Sequence, residues 1–253
     1  MTYLNESGKA YTLDGQTYPR VTGILACTAK PALVPAAVKV VTEHIKAIWD
    51  SEGVIDWMDV KREYRRQWDR KASTGTIVHE AVSSAIAREE FDWELLSDEQ
   101  AQMVEQFWAW ERAFAPQYLA SEFAVFSDTF RYAGTADMAV QIEGRTLLVD
   151  VKTGKDLWPD VALQLAAYAN ADFYMVGGKR VRPWPFDGWA VLHLRSDRWE
   201  LREVRPEVRD LAWRRFRALR EVAYWTQIEG TKADKVLGDL LLPTSTFIPA
   251  EVA

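Results

Sequence analysis

Val149-Asp150-Val151-Lys152-Thr153-Gly154-Lys155 decides how the rest of this 253-residue chain is read. The run Leu147-Leu148-Val149 that leads into it is short, continuous and apolar, the pattern of a strand covered on both faces. Residues two apart on a strand project to the same side. Asp150 and Lys152 therefore emerge together, while Val151 turns to the opposite face. A carboxylate that holds a divalent cation, beside an ammonium that sits by a water, is what metal-assisted phosphodiester hydrolysis requires. The backbone carbonyl of Val151, at the open end of the strand, is a further oxygen suited to a hard cation. Alone, a D-x-K tripeptide is common by chance, and a surface ion pair at a strand end has the same pattern.

Upstream, Gly134-Thr135-Ala136-Asp137 lies on the preceding strand, across a tight turn at Glu143-Gly144. Neighbouring antiparallel strands are roughly 5 Å apart, so Asp137 and Asp150 face one site if the register permits. Two close, buried carboxylates repel unless a cation neutralises them. Downstream, Gln164-Leu165-Ala166-Ala167-Tyr168 reads as helical, and positions four apart stack on one helix face. Gln164 and Tyr168 then present an amide and a phenol over the same end of the sheet. Further upstream, Gly75-Thr76-Ile77-Val78-His79-Glu80 places His79 on a helix. Histidine suits manganese, and suits magnesium only in an oxygen-rich site. Of the three histidines, His44 and His193 have no motif around them.

The pattern outside these motifs predicts a turn-rich entry over the first thirty-five residues, punctuated by Pro19, Pro31 and Pro35. Residues 36–87 read as helical with a break near Ser51-Glu52-Gly53. Ser73-Thr74-Gly75-Thr76 separates a basic helix from the next, with Thr74 or Thr76 as N-cap. Residues 97–113 form a further helix. Residues 122–128, 134–142 and 145–151 read as successive strands, 160–173 as helix, 189–194 and 199–204 as a strand pair, and 207–228 as a long amphipathic helix. That last helix carries Leu211, Phe216, Leu219, Val222 and Trp225, read first as core and second as a contact surface. The order predicts an α/β protein with a mixed sheet. We divide it into an N-terminal elaboration (1–72), a core (73–228) and a tail (229–253) of one compact domain.

Composition narrows the function classes. The 48% hydrophobic content is ordinary for a globular protein. No stretch approaches twenty uninterrupted apolar residues, and the start lacks the layout of a secretory signal, so a cytoplasmic location and no membrane partner are expected. Cys27 is the single cysteine, which leaves no internal disulfide and no all-cysteine iron–sulfur cluster or zinc site within one chain. A net charge of −6 argues against broad coating of nucleic acid but leaves room for a local basic groove. Lys61, Arg62, Arg65, Arg66, Arg70 and Lys71 before the first motif, and Lys179, Arg180 and Arg182 after the last, are the basic stretches; solvated faces are the alternative for both. The 12 tryptophans are read nearly all as core or interface residues. No G-x-x-x-x-G-K-[ST] phosphate loop is present, so no nucleotide-driven motor is expected.

Taken in order, His79, Gly134 to Asp137, Asp150 to Lys152 and Gln164 to Tyr168 resemble the RecB-like branch of the PD-(D/E)XK nucleases, with the Thr153-Gly154 that follows the lysine also present. The match covers roughly residues 73–170. The resemblance implies a restriction-endonuclease-like core, a mixed central sheet flanked by helices. It implies Mg²⁺ or Mn²⁺ held by His79, Asp137, Asp150 and the Val151 carbonyl, with Lys152 serving the attacking water. Gln164 and Tyr168 would orient that water, the lysine or the scissile strand. Glu122, just before the first strand, matches an acidic position of the branch. Thr153, Lys155, Arg66, Arg70 and Glu122 are the expected DNA-contacting positions.

Val21-Thr22-Gly23-Ile24-Leu25 and Lys30-Pro31-Ala32-Leu33 are similar to the opening of phage-encoded exonucleases of this branch. That would place the chain in a host cytoplasm. Several relatives brace the fold with four cysteines around an iron–sulfur cluster; here only Cys27 is available. The expected activity is a metal-dependent DNA exonuclease in recombination, repair or phage DNA processing, with a recombination or single-strand-annealing protein as partner. The alternatives are a structure-specific or restriction-type endonuclease, a non-catalytic DNA-binding or partner-loading protein, and an RNA-processing nuclease.

Overall fold

The computed structural model describes Tyr3, Gly8 and residues 10–28, 33–51 and 53–225. The expected tail (229–253) and the side chains of Lys61, Arg65, Arg70 and Lys71 lie outside the described residues.

A hairpin of β1 (Ala10–Leu13) and β2 (Gln16–Pro19) comes first, then the short α1 (Val21–Leu25), α2 (Leu33–Asp50) and α3 (Trp57–Ala87). The hairpin adds two strands to what was read as a turn-rich entry. It turns at Asp14-Gly15, both with positive φ (49° and 74°), a tight-turn signal that the prolines masked. Helix α3 corrects another reading, because it runs unbroken through Ser73-Thr74-Gly75-Thr76. Asp56 is the residue that caps it, accepting from the Met58 amide. Gly75 lies beside the loop after β5, where a Cβ would make an ordinary contact with Thr153 Oγ1 at 3.4 Å. The division at residue 72 thus falls inside a helix.

Helix α4 (Asp98–Phe114) opens with a full capping box between Ser97 and Gln100. The strands β3 (Gln117–Ser127), β4 (Tyr132–Ile142) and β5 (Arg145–Lys152) follow, then α5 (Asp160–Ala169). Next come β6 (Phe173–Val176), β7 (Lys179–Val181), β8 (Gly188–Leu194), β9 (Trp199–Glu203) and α6 (Pro206–Ala223). The β6–β7 hairpin, turned by Gly177-Gly178 with φ of 56° and 77°, replaces the expected end of the 160–173 helix. Glu143-Gly144, at φ of 50° and 76°, closes β4 onto β5 as expected.

The sheet is seven-stranded and mixed, in the order β7-β6-β3-β4-β5-β8-β9, and β5–β8 is its parallel pair. Helices cover both faces. On one side Val149 and Val151 pack with Val78 of α3 and with Met103, Phe107 and Trp110 of α4. On the other, Leu148 packs with Leu165 of α5, Phe216 of α6 and Ile24 of α1. Each such fully buried leucine contributes about 2 kcal/mol of apolar burial. Phe216 is fully buried, so α6 is chiefly a core helix; Val222 and Trp225 at its end are exposed. Trp49, Trp57, Trp93 and Trp158 are exposed as well, so of the core and interface places expected for tryptophan these do not take the core. Trp49 lies on α2 and Trp57 at the start of α3; the two helices pack on each other, and α3 also packs on α4 and β3. Among the described residues, no helix is long and apolar enough to cross a membrane.

Candidate active site

The site is built where β4 and β5 part. Their register pairs Met138 with Val149, and one further step sets Asp137 opposite Asp150. Here a side chain takes over from the ladder: the Val151 amide donates to Asp137 Oδ2 at 2.6 Å. On the neighbouring pair, Ser121 faces Met138 and Phe123 faces Ala136, which puts Glu122 opposite Asp137. Glu122 therefore lies within β3 and not ahead of it. Its φ of 44° is a left-handed conformation unfavourable for a side-chain-bearing residue. Opposed acids on adjacent strands also repel. Backbone strain and like charge thus fall on one spot.

Helix α3 brings His79 to that spot, with Nδ1 3.7 Å from Asp137 Oδ2. Ligand atoms of His79, Glu122 and Asp137 all lie within 4.8 Å of one another. Glu122 thus joins His79 and Asp137 of the expected set of His79, Asp137, Asp150 and the Val151 carbonyl, while Asp150, on the adjoining strand, is engaged by Lys152 and Gln164. Asp150 is 1% exposed. Lys152 Nζ stands 2.6 Å from Asp150 Oδ2, and Gln164 Nε2 donates to Oδ1 at 3.0 Å. The lysine contact is close but poorly directed, so buried Oδ2 is left without an aligned donor. Gln164 also donates to Tyr168 Oη at 3.1 Å and accepts from Lys152 Nζ at 3.4 Å. Asp150, Lys152, Gln164 and Tyr168 form one network, as the two-residue and four-residue spacings predicted.

Helix α5 is held in place for this. Tyr132 donates to the Ala167 carbonyl and Tyr174 to the Tyr168 carbonyl, at 2.8 and 3.1 Å. Gly134 lies under the Tyr168 ring, where a Cβ would stand 2.5 Å from Cε1.

Electrostatics follow from burial. Desolvation, with the nearby Asp137 and Asp150 charges, pushes Glu122 up to about 7. Desolvation pushes Asp150 up to about 6, against the opposing pull of Lys152. Burial alone would lower Lys152, but Asp150 and Asp137 outweigh it and hold the ammonium charged. Tyr168 is raised well above the usual phenol range, chiefly by burial, and stays a neutral phenol. Glu122 keeps an exposed surface that water reaches, whereas Asp150 is enclosed.

Two clefts meet at the end of β5, and Lys152, Thr153 and Gly154 line both. The first, about 800 Å³, holds His79, Glu122 and Asp137. The second, about 810 Å³, lies toward α1, α4 and α5 and takes in Lys155. Arg66 lines neither. It bonds Asp59 at 2.7 Å and Glu63 at 2.8 Å on its own helix. Arg180 is likewise engaged, with Asp128 at 3.2 Å and over the Phe173 ring.

No family model matches the chain. No curated protein matches it. Among solved structures it is similar to one titled "Crystal structure of SSO0001", at 14% identity and a TM-score of 0.31, covering 49% of this chain and 57% of that one. The chain thus spans little more than half of that protein's length, and a likeness this slight carries no argument.

Three site features had no motif to announce them. His193, buried and paired in register with Lys152, donates from Nε2 to the Gly154 carbonyl at 2.6 Å. Arg195 donates to the Lys155 carbonyl. Together they fix the loop behind Lys152. Tyr11, from the unforeseen β1, hydrogen-bonds Thr135 Oγ1 at 2.8 Å and lines the first cleft. The signal for His193 was its place in a buried apolar run on the strand beside β5, legible only once the β5–β8 pairing is known.

Proposed function

We propose that this chain is a divalent-metal-dependent nuclease that hydrolyses DNA phosphodiester bonds, an exonuclease on a restriction-endonuclease-like core. The observation that carries the reading is the convergence of Asp137, Asp150 and Lys152 from neighbouring strands, with His79 and Glu122 beside them. A mixed nitrogen and carboxylate set from His79, Glu122 and Asp137 fits a hard or borderline cation such as Mg²⁺ or Mn²⁺. His79, Asp137, Glu122, Asp150 and the Val151 carbonyl would hold it. Bound there, it would polarise the phosphate and lower the pKa of water.

The chain's own groups account for the rest. Lys152, kept charged by the acids, orients the attacking water and screens the phosphate. Gln164 ties Lys152, Asp150 and Tyr168 into one geometry. Water adds to phosphorus, the bond from phosphorus to the bridging sugar oxygen breaks, and that oxygen leaves with a proton. DNA itself, and a recombination or annealing protein as partner, belong to this proposal. The test is end-labelled linear DNA beside closed circular DNA, each with Mn²⁺, Mg²⁺ or EDTA. Loss of the linear substrate with Mn²⁺ or Mg²⁺ and survival of the circle are expected. Cutting of the circle would turn the reading to an endonuclease, and no cutting of either would end it.

His193→Ala is expected to slow cleavage roughly 10- to 100-fold, because the loop behind Lys152 loses its anchor and small displacements at a reacting centre act strongly on rate. His193→Gln, which keeps an amide donor, should recover part of the rate in the same assay. Equal rates for His193→Ala and the unaltered protein would remove His193 from any positioning role.

The acids also predict a pH dependence without metal. A carboxyl whose folded pKa is raised binds more protons folded than unfolded between its two pKa values. Its contribution is complete below the unfolded value and declines as pH rises through the folded one. In EDTA the melting temperature should therefore carry a downward component from about pH 4 to 7, on account of Asp150 near 6 and Glu122 near 7. Asp150→Asn with Glu122→Gln should remove that component in parallel melts, and Mn²⁺ should oppose it in the unaltered protein. An unchanged pH profile in the double variant would contradict the assigned shifts.

A further inference from the structure

The second cleft has no role in the network of acids, yet it shares Lys152 and Gln164 with it. Its volume of about 810 Å³ falls within the range of roughly 300–1,000 Å³ that encloses small organic ligands. The floor is apolar: Leu25 of α1 and Met103 of α4 are both buried. At the rim, Trp158 is 46% exposed, a large flat ring left open beside charged residues. Lys152, Lys155 and Arg195 supply positive charge. Glu99, Asp156 and Asp160 also border the cleft; Glu99 and Asp160 occupy the first turns of α4 and α5, where helix N-termini favour carboxylates, and Asp156 follows Lys155 in the loop. An apolar floor, an open indole and cations next to Lys152 together suit a base, a sugar and a phosphate.

We propose that this cleft receives the terminal nucleotide of the DNA strand being cut, its base against Trp158, and holds the nucleoside monophosphate released. The inference rests on the nuclease reading and deepens it. Helices α1, α4 and α5 all wall the cleft, so a strand passing Lys152 in that direction runs up against protein. Such a pocket selects an end. Stacking on an aromatic ring accepts any base, so the site discriminates by terminus and not by sequence.

The experiment is equilibrium binding to the full chain in EDTA, where no turnover occurs. Thymidine 5′-monophosphate, thymidine 3′-monophosphate and thymidine are the probes. One of the two monophosphates is expected to bind at least tenfold more tightly than thymidine. Trp158→Ala should weaken that binding at least tenfold, and Trp158→Phe should restore most of it. Because Trp158 is half exposed, unchanged melting temperatures verify that both variants fold. Absence of binding by either monophosphate, or equal binding by Trp158→Ala, overturns the proposal. Cleavage of linear DNA is scored separately. Cleavage without nucleotide binding defeats the pocket alone, and nucleotide binding at Trp158 without cleavage defeats the nuclease reading alone.

Discussion

Lys152→Ala is expected to reduce divalent-dependent DNA cleavage by about a thousandfold, within the span usual for removing a group that handles the reacting proton or water. The folded state should respond in a particular way. Asp150 is 1% exposed and Lys152 is its close cationic neighbour, at 2.6 Å. Removing the ammonium leaves a buried carboxylate disfavoured by desolvation and by the nearby Asp137 charge, with its main cationic partner gone. The loss of stability should be about 2 kcal/mol at pH 8, less than is usual for a broken buried pair because the lysine side chain is 34% exposed. It should shrink toward zero near pH 4, where Asp150 is protonated in both proteins. Asp150→Asn should abolish cleavage to a similar degree with little change in melting temperature in EDTA, since it removes an acid whose ionisation the fold resists. Cleavage by either purified variant at the unaltered rate would refute the assignment of the site. Stability curves of Lys152→Ala that stay parallel to the unaltered protein at every pH would show that the pair is not coupled in solution.

The parts of this arrangement that were legible in the sequence are those that depend on short spacings. Asp150 and Lys152 share a face because strands repeat every two residues, and Gln164 and Tyr168 share one because helices nearly repeat every four. The Glu143-Gly144 turn fixed the β4–β5 register, so the meeting of Asp137 with Asp150 followed from it. What was hidden depends on partners far away in the chain. Gly75 reads as a helix break, because glycine disfavours helices locally, yet it sits within α3. Glu122 reads as a residue ahead of a strand, because its left-handed backbone interrupts the alternation that would have extended β3 back to Gln117. The separate roles of Asp150, turned to Lys152 and Gln164, and Glu122, turned to His79 and Asp137, follow from a three-strand register that local pattern does not contain.

Gly134→Ala should be among the most disruptive single-methyl changes in the protein. The added Cβ would stand 2.5 Å from Tyr168 Cε1 and 3.3 Å from Cζ and Oη, distances at which something must shift. The ring cannot swing away cheaply. It is 3% exposed, its phenol accepts from Gln164, and the helix that carries it is pinned through the Ala167 and Tyr168 carbonyls. Overpacking of this kind costs about 1–3 kcal/mol, and the close contact sets the expectation near the upper value. Displacing Tyr168 also disturbs Gln164, and through it both Asp150 and Lys152, so cleavage should fall more than the stability loss alone accounts for. Backbone conformation is not the cause, since Gly134 has no positive φ. The double variant Gly134→Ala/Tyr168→Ala separates these effects. It should melt higher than the sum of the two single losses predicts, because the second change removes the clash that the first creates. Strict additivity of the melting shifts would show that the Tyr168 ring does not rest on Gly134, and with that the placement of α5 over the β4–β5 cleft would fail.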